Sequence, residues 1–573
     1  MTNHSRPPLP ASGPYYNLGT FQRPITTTSP DAQVWFNRGL VWIYSFHHEE
    51  AITCFENALK NDPSCVMAYW GIAYCPGTNY NNPWNLFSKP DVEKNMRMIH
   101  TNLDSGSKYL HLSTPIERRL MKALDSRYPR NYGDYDVGRW NLDYCRVMKE
   151  VFDHHADDLD VLALYVDSLM CLTPWKLWDL KTGKPAPNSR AFEIQAILEG
   201  ILVTGKADRH PGILHFYIHL MEMSTNPEKA VPASDRLYEL IPDAAHLNHM
   251  PSHLDIAIGD YRRAIASNLT AIVSDEKYER QHGYSNFYTV YRLHNYHTLI
   301  YAAMFNGQYE IANRYAIKME ESMPEDLVRS QPDFIEAGYS IRIHVFVRFG
   351  RWKEILATAF PKDKELYSTT TAMLHYARGI AYAATGDVEA GERELEHLLE
   401  AITRIQPSRN LYPNHATAII QIGVEMLRGE IEYRKSNFGP AFEHLRRSIE
   451  LYDGLTYAEP WGWMQPVRHA YAALQLEQGN LEEALKTYAA DLGYDDSLAR
   501  ACQHPNNVWA LHGYHECLVR LGRVDEAKII KPQLRLALAV ADVKVQSSCF
   551  CRLEVSEGAL PEGGKCCVVE EGT

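Results

Sequence analysis

The sequence predicts an all-α protein built as an array of helical hairpins, on three observations. First, Trp35, Gly39, Trp42, Ala51, Phe55, Ala58 and Pro63 fall at offsets of 4, 7, 16, 20, 23 and 28 from Trp35. This places a small residue where two helices cross and a proline where the second must end. Second, a turn followed by a small residue recurs downstream. Gly259-Asp260-Tyr261 leads to Ala264, Gly307-Gln308-Tyr309 to Ala312, Gly479-Asn480-Leu481 to Ala484 and Gly522-Arg523-Val524 to Ala527, and Gly386-Asp387-Val388 is alike. Third, apolar residues between these turns recur at helical spacing, as in Tyr376, Ile380 and Ala383, and no strand-like alternation competes.

The first set of offsets is that of the tetratricopeptide repeat. The expected fold is therefore a tetratricopeptide-type helical-hairpin solenoid, coiled as a right-handed superhelix, over residues 32–540. Residues 1–31 read as an extended N-terminal arm. About 79–208 reads as a divergent insert with two long loops, one around Asn81, Asn82 and Trp84, the other running from Pro174 to Ser189. Residues 541–573 read as a flexible cysteine-rich tail.

A net charge of −13 over 573 residues argues against a nucleic-acid or anionic-membrane partner, either of which demands a basic face. Met1 to Pro14 has no apolar stretch of the kind a signal peptide needs, and no run of about 18 apolar residues suggests a membrane span. The eleven cysteines are accordingly expected to be reduced, seven in helical patterns and four in the tail, and the chain to be cytoplasmic.

Histidines mark the chemistry. In repeat register, His215 and His219 occupy the fifth and ninth places of one hairpin, and His249 and His253 the same places 34 residues on. His246 takes the second place of that next hairpin; His294 and His297 take the second and fifth of another. Such places lie on one helical stripe, and Glu222 extends it. His210 sits in the turn before His215. A single His-x-x-x-His pair is weak; two in the same register beside two His-x-x-His pairs are a metal-site signal, because i and i+4 imidazoles share a face. His469 and His512 also occupy fifth places, so the slot tolerates histidine for other reasons too. Clustered imidazoles are unfavourable if protonated, and a metal keeps them neutral.

The predicted ligands are thus His215, His219, His246, His249, His253, His294 and His297, with Glu222 and His210 as catalytic acid/base or supporting groups. Thiolate-free imidazole sets suit a transition metal, with copper preferred and iron or zinc as alternatives, one ion or two. An all-histidine pair of ions is the donor set of coupled dicopper oxidases; His₃ with a carboxylate suits non-haem iron oxygenases or zinc hydrolases. Trp175, Trp178, Tyr217, Tyr288 and Tyr291 are candidates to bind a planar small-molecule substrate. Paired tail cysteines could take a soft cation.

Ala68-Tyr69-Trp70-Gly71-Ile72-Ala73, Pro174-Trp175, His210-Pro211-Gly212 with His215 and Ile218-His219, His249-Met250-Pro251-Ser252-His253 and His294-Asn295-Tyr296-His297 carry a closer likeness. On them the chain resembles a group of tetratricopeptide-domain proteins of bacteria and fungi; it departs from the plain repeat consensus at Ile218 and Ser252, where a small glycine is usual. The resemblance implies that the histidine stripe lines the concave groove and, by analogy alone, a role in secondary metabolism. The expected function is a metal-dependent oxidoreductase of oxidase or oxygenase type acting on a small metabolite in that groove. The alternatives are a non-enzymatic scaffold binding a peptide or protein partner, and a zinc-dependent hydrolase.

Overall fold

A computed structural model describes residues 10–552 except 132, 134, 135 and 412. It is all-α: among the described residues the only strands are the two-residue pair Asn410–Leu411 and Asn414–His415. No described helix is long and apolar enough to cross a membrane. The described residues form two compact units, one within 10–257, 266–295 and 499–501, the other within 258–265, 296–498 and 502–552.

The first unit opens with the hairpin of Pro30–Tyr44 and His48–Asn61. Ser29 caps the first helix, accepting from the Ala32 N–H, and Pro30 supplies a backbone preset for the first turn. The crossing is made by Phe55, whose ring is fully buried between two glycines. A Cβ at Gly39 would stand 2.5 Å from this ring, and one at Gly71 would overlap it from the other side. That ring explains the sequence pattern, since removing it leaves a cavity at a cost of about 3–5 kcal/mol.

Residues 10–28, expected as part of an extended arm, form no helix or strand and are held by side chains of the first unit. Tyr15 donates to Glu50 at 2.6 Å and accepts from Trp42 Nε1 at 2.9 Å, and Arg23 pairs with Asp158 and Asp160. Within about 79–208 the helices Lys89–Ser107, Pro115–Arg127, Val137–His154, Leu159–Met170 and Ala191–Leu202 carry the insert. Its second loop is tied down by Trp178, whose Nε1 donates to the Leu220 carbonyl at 2.6 Å.

The second unit stacks hairpins whose first helices are Ile341–Arg348, Ser368–Ala384, Ala416–Arg434, Val467–Glu477 and Val508–Arg520. The predicted turn glycines do their work here: Gly386 and Gly479 sit at φ +94° and +78°, which a Cβ would strain. Residues 541–552, expected to be a flexible tail, instead pack onto the unit, with Ser548 and Cys551 buried. Cys549 and Cys551, expected to be reduced thiols, are joined in a disulfide, whereas the seven helical cysteines are free and buried. Cys566 and Cys567 lie outside the described residues.

Candidate metal centre

Three segments bring six histidines together, and all six lie in the first unit. The helix Pro211–Met221 presents His215 and His219 one turn apart and ends at Glu222. Ala245–His249 and Pro251–Ile258 follow one another, broken at Met250-Pro251. Proline has no N–H to continue the ladder, so His253 N–H bonds back three residues to the Met250 carbonyl, and His249 and His253 share a face across the break. The helix Thr289–Phe305 adds His294.

The His215 helix is pinned by packing. Gly212 lies where a Cβ would overlap the Tyr44 ring. This close approach lets the Tyr44 carbonyl accept from His215 Nδ1 at 2.7 Å. Glu222 then does for two histidines what the carbonyl does for one. Its Oε1 accepts from His219 Nδ1 at 2.9 Å, and its other oxygen accepts from His253 Nδ1. Asn268 Oδ1 accepts from His249 Nδ1 at 2.7 Å. Four imidazoles thus have Nδ1 engaged by oxygen acceptors, which fixes the tautomer and leaves Nε2 as the lone pair.

Those Nε2 atoms converge. His249 Nε2 is 2.7 Å from His253 Nε2, and His215 Nε2 is 3.1 Å from His246 Nε2. His219 Nε2 and His246 Nδ1 are buried without a hydrogen-bond partner. Two sets of three have donor atoms all within 4.8 Å of one another: His215, His219 and His246, and His249, His253 and His294. His219, Glu222 and His253 form a third such group that joins them.

Burial sets the charge state. It pushes the His215 imidazole down to about 3 and holds His219, His246 and His249 well below the ordinary range, with the neighbouring histidines adding to the effect. At neutral pH these four rings are uncharged nitrogen donors.

The remaining predicted residues divide. Tyr288 accepts from the His246 N–H at 3.2 Å, and the Tyr291 ring lies 4.9 Å from His246. Trp175 reaches the site through Tyr80, on which it stacks; Tyr80 in turn lies 4.9 Å from His219. Tyr217 points away, donating to Glu199, and Trp178 is a loop anchor. His210 is the N-cap of its helix, accepting from the Ile213 N–H, with Nε2 3.2 Å from Asp160. Both its nitrogens are committed to structure. His297 joins neither set of three; it belongs to the second unit, where its Nε2 is 2.7 Å from Met464 Sδ.

Sequence reasoning missed Phe46, Tyr44, Tyr80 and Asn268. Phe46 sits at φ +56°, uncommon for a side chain of this size, and its ring lies 4.6 Å from His215 and 5.5 Å from His246. Phe46 and Tyr288 also wall a cavity of 310 Å³ shared with His47, His48, Asn79 and Asn82, so the centre has a molecule-sized space beside it.

The tetratricopeptide repeat model matches residues 32–65. The chain carries a tetratricopeptide repeat. No characterised protein matches it by sequence. Similar solved structures include the APC/C hetero-tetramer Cut9-Hcn1, at 14% identity over 82% of this chain and 74% of that one, TM-score 0.28. Yeast Tom70 aligns at 12% identity over 89% and 92%, TM-score 0.29. Naa15/Naa10 bound to HypK-THB aligns at 14% identity over 89% and 70%, TM-score 0.21. Scores this low bear on neither mechanism nor partner.

Proposed function

We propose that this repeat protein holds a transition metal at its histidine cluster and uses it in an oxidase- or oxygenase-type reaction on a small molecule. The observation that carries the reading is the pair His249 and His253. Each donates its Nδ1 hydrogen to an oxygen, so two Nε2 lone pairs face each other at 2.7 Å. Two lone pairs that close repel unless a cation sits with them, and burial disfavours a proton on His249. A metal ion satisfies both nitrogens.

The donor chemistry fits. Six imidazoles exceed what one four-coordinate ion takes, and they fall into two threes with Glu222 hydrogen-bonded to a member of each. Copper is preferred for this thiolate-free set, with iron and zinc as alternatives. A bound copper or iron ion would supply redox chemistry with oxygen. The chain's own part is to hold the imidazoles neutral and oriented through Tyr44, Asn268 and Glu222. Phe46, Tyr80 and Tyr291 keep water from the rings, and the adjoining cavity receives a substrate of modest size.

The test is oxygen uptake by metal-loaded protein across a panel of phenols and other small aromatic reductants, with His249→Ala as the control. Uptake that depends on His249 is expected; equal uptake by the variant excludes the cluster as the site.

A scaffold reading stands beside it. The repeat match at residues 32–65 favours a protein or peptide partner, and nothing in the comparisons favours redox chemistry. A stoichiometric protein partner bound by metal-free chain would favour this second reading.

A further inference from the structure

The second unit holds a groove that residues 541–552 already fill. After the helix Val524–Val540, residues 541–552 contain neither helix nor strand. At the near end the Asp542 carboxylate accepts from the N–H groups of Tyr309 and Glu310, at 2.6 and 2.9 Å. Further on, Arg348 donates to the Ser548 carbonyl at 2.5 Å, and Arg434 donates to the Cys551 carbonyl. The Ser548 hydroxyl donates to the His469 carbonyl at 2.7 Å. At the far end Arg552 forms a two-pronged pair with Glu516, each N–O distance 2.8 Å.

This is how a groove reads a peptide. Guanidinium groups on two helices take main-chain carbonyls, which any sequence offers, while side-chain sites supply selectivity. Glu516 selects an arginine. Gly350 leaves room for the Phe550 ring, which a Cβ would meet at 2.7 Å. The reading groups are themselves braced. His469 Nδ1 accepts from Arg348 at 3.1 Å, and its Nε2 donates to Asp491 at 2.9 Å. Asp491 also accepts from His504 at 2.9 Å and Asn507 at 3.0 Å. This buried network meets the irregular segment through Arg348 and His469 and is anchored at its other end by Asn507, the N-cap of the helix Val508–Arg520.

We infer that this face of the second unit is a peptide-recognition groove with residues 547–552 as its resident ligand. The ligand class is a peptide of pattern Ser-x-aromatic-x-Arg, as set by Ser548, Phe550 and Arg552. The inference stands apart from the metal reading, since no residue of the histidine centre takes part.

The experiment uses full-length protein and a fluorescent synthetic peptide of residues 544–552 with its Cys549–Cys551 disulfide closed. Arg552→Ala releases the far end of the resident segment. That variant should capture the peptide at least about tenfold more tightly than the unaltered chain, whose groove is filled. Adding Glu516→Gln should abolish the gain. Hydrogen exchange over 545–551 should quicken in Arg552→Ala while that of 416–492 stays as it was. Failure of Arg552→Ala to capture the peptide, or capture indifferent to Glu516→Gln, overturns the inference. Loss of helical signal in Arg552→Ala also overturns it, because the segment is then a permanent part of the core.

Discussion

His249 and His253 face each other Nε2 to Nε2 at 2.7 Å, with the other nitrogen of each ring bonded to an oxygen acceptor. On the metal reading, His249→Ala leaves the second set of three one donor short. Metal bound per chain should fall by at least about one equivalent in two while the far-ultraviolet dichroism is retained. Unchanged metal content by elemental analysis would place the ion elsewhere.

Glu222 bonds to His219 of one set and His253 of the other. A carboxylate in this position raises ligand basicity and orients the ring, and loss of such a partner costs about 10–100-fold in metal affinity. Glu222→Gln should weaken binding in that range, measured by competition with a chromophoric chelator. The Gln amide offers an oxygen to only one of the two rings and a donor to the other, and it removes the negative charge both rings shared, so both sets should be affected.

His297 tests the division between the two units. Its Nε2 is engaged by Met464, and it joins neither set of three. His297→Ala should leave metal stoichiometry unaltered, and a drop in it would return His297 to the ligand set.

Gly212 carries a packing prediction. Alanine there meets the Tyr44 ring, whose own carbonyl orients His215. Overpacking of this kind costs about 1–3 kcal/mol. Gly212→Ala should lower the urea midpoint and loosen metal, whereas Gly200→Ala, which meets nothing within 4 Å, should do neither.

Glu50 gives the pH dependence. Burial raises its carboxyl from the usual 4.5 to about 7, opposed by the Tyr15 hydroxyl bond. Between those values the folded chain keeps a proton that the unfolded chain has released. The contribution of Glu50 to stability is therefore full below about pH 4.5 and is lost as pH rises through about 7. Glu50→Gln stays neutral and should be more stable than the parent at pH 8, by about 1–3 kcal/mol, with little difference at pH 5. Urea midpoints at the two pH values check this; equal midpoint shifts at both would contradict it.

How much of this was legible in the chain follows from which interactions are local. Helical hairpins are written in near-neighbour spacing, so Gly39, Ala51 and Phe55 announced the first repeat and the turn glycines the later ones. The register of His215/His219 and His249/His253 likewise needs only the period, and the structure brings these four rings together with His246 and His294. The partners that orient them are distant in sequence. Tyr44 is 171 residues from His215, and Phe46 owes its place to a left-handed turn that no residue type announces. His210 and His297 carry the same pattern as the others but are used up by a helix cap and by Met464. Residues 541–552 look like a tail because they carry no helical apolar spacing and lead into a Gly/Glu-rich stretch; what holds them are side chains on remote helices, Arg348, Arg434 and Glu516.

The most direct measurement is elemental analysis of untagged protein purified without chelators, taken with its visible spectrum. About one to two equivalents of copper or iron per chain are expected, falling by at least about half in His249→Ala. Protein that holds no transition metal, even after reconstitution with copper, iron and zinc in turn, would contradict the proposed metal centre and leave a peptide-binding repeat as the better reading.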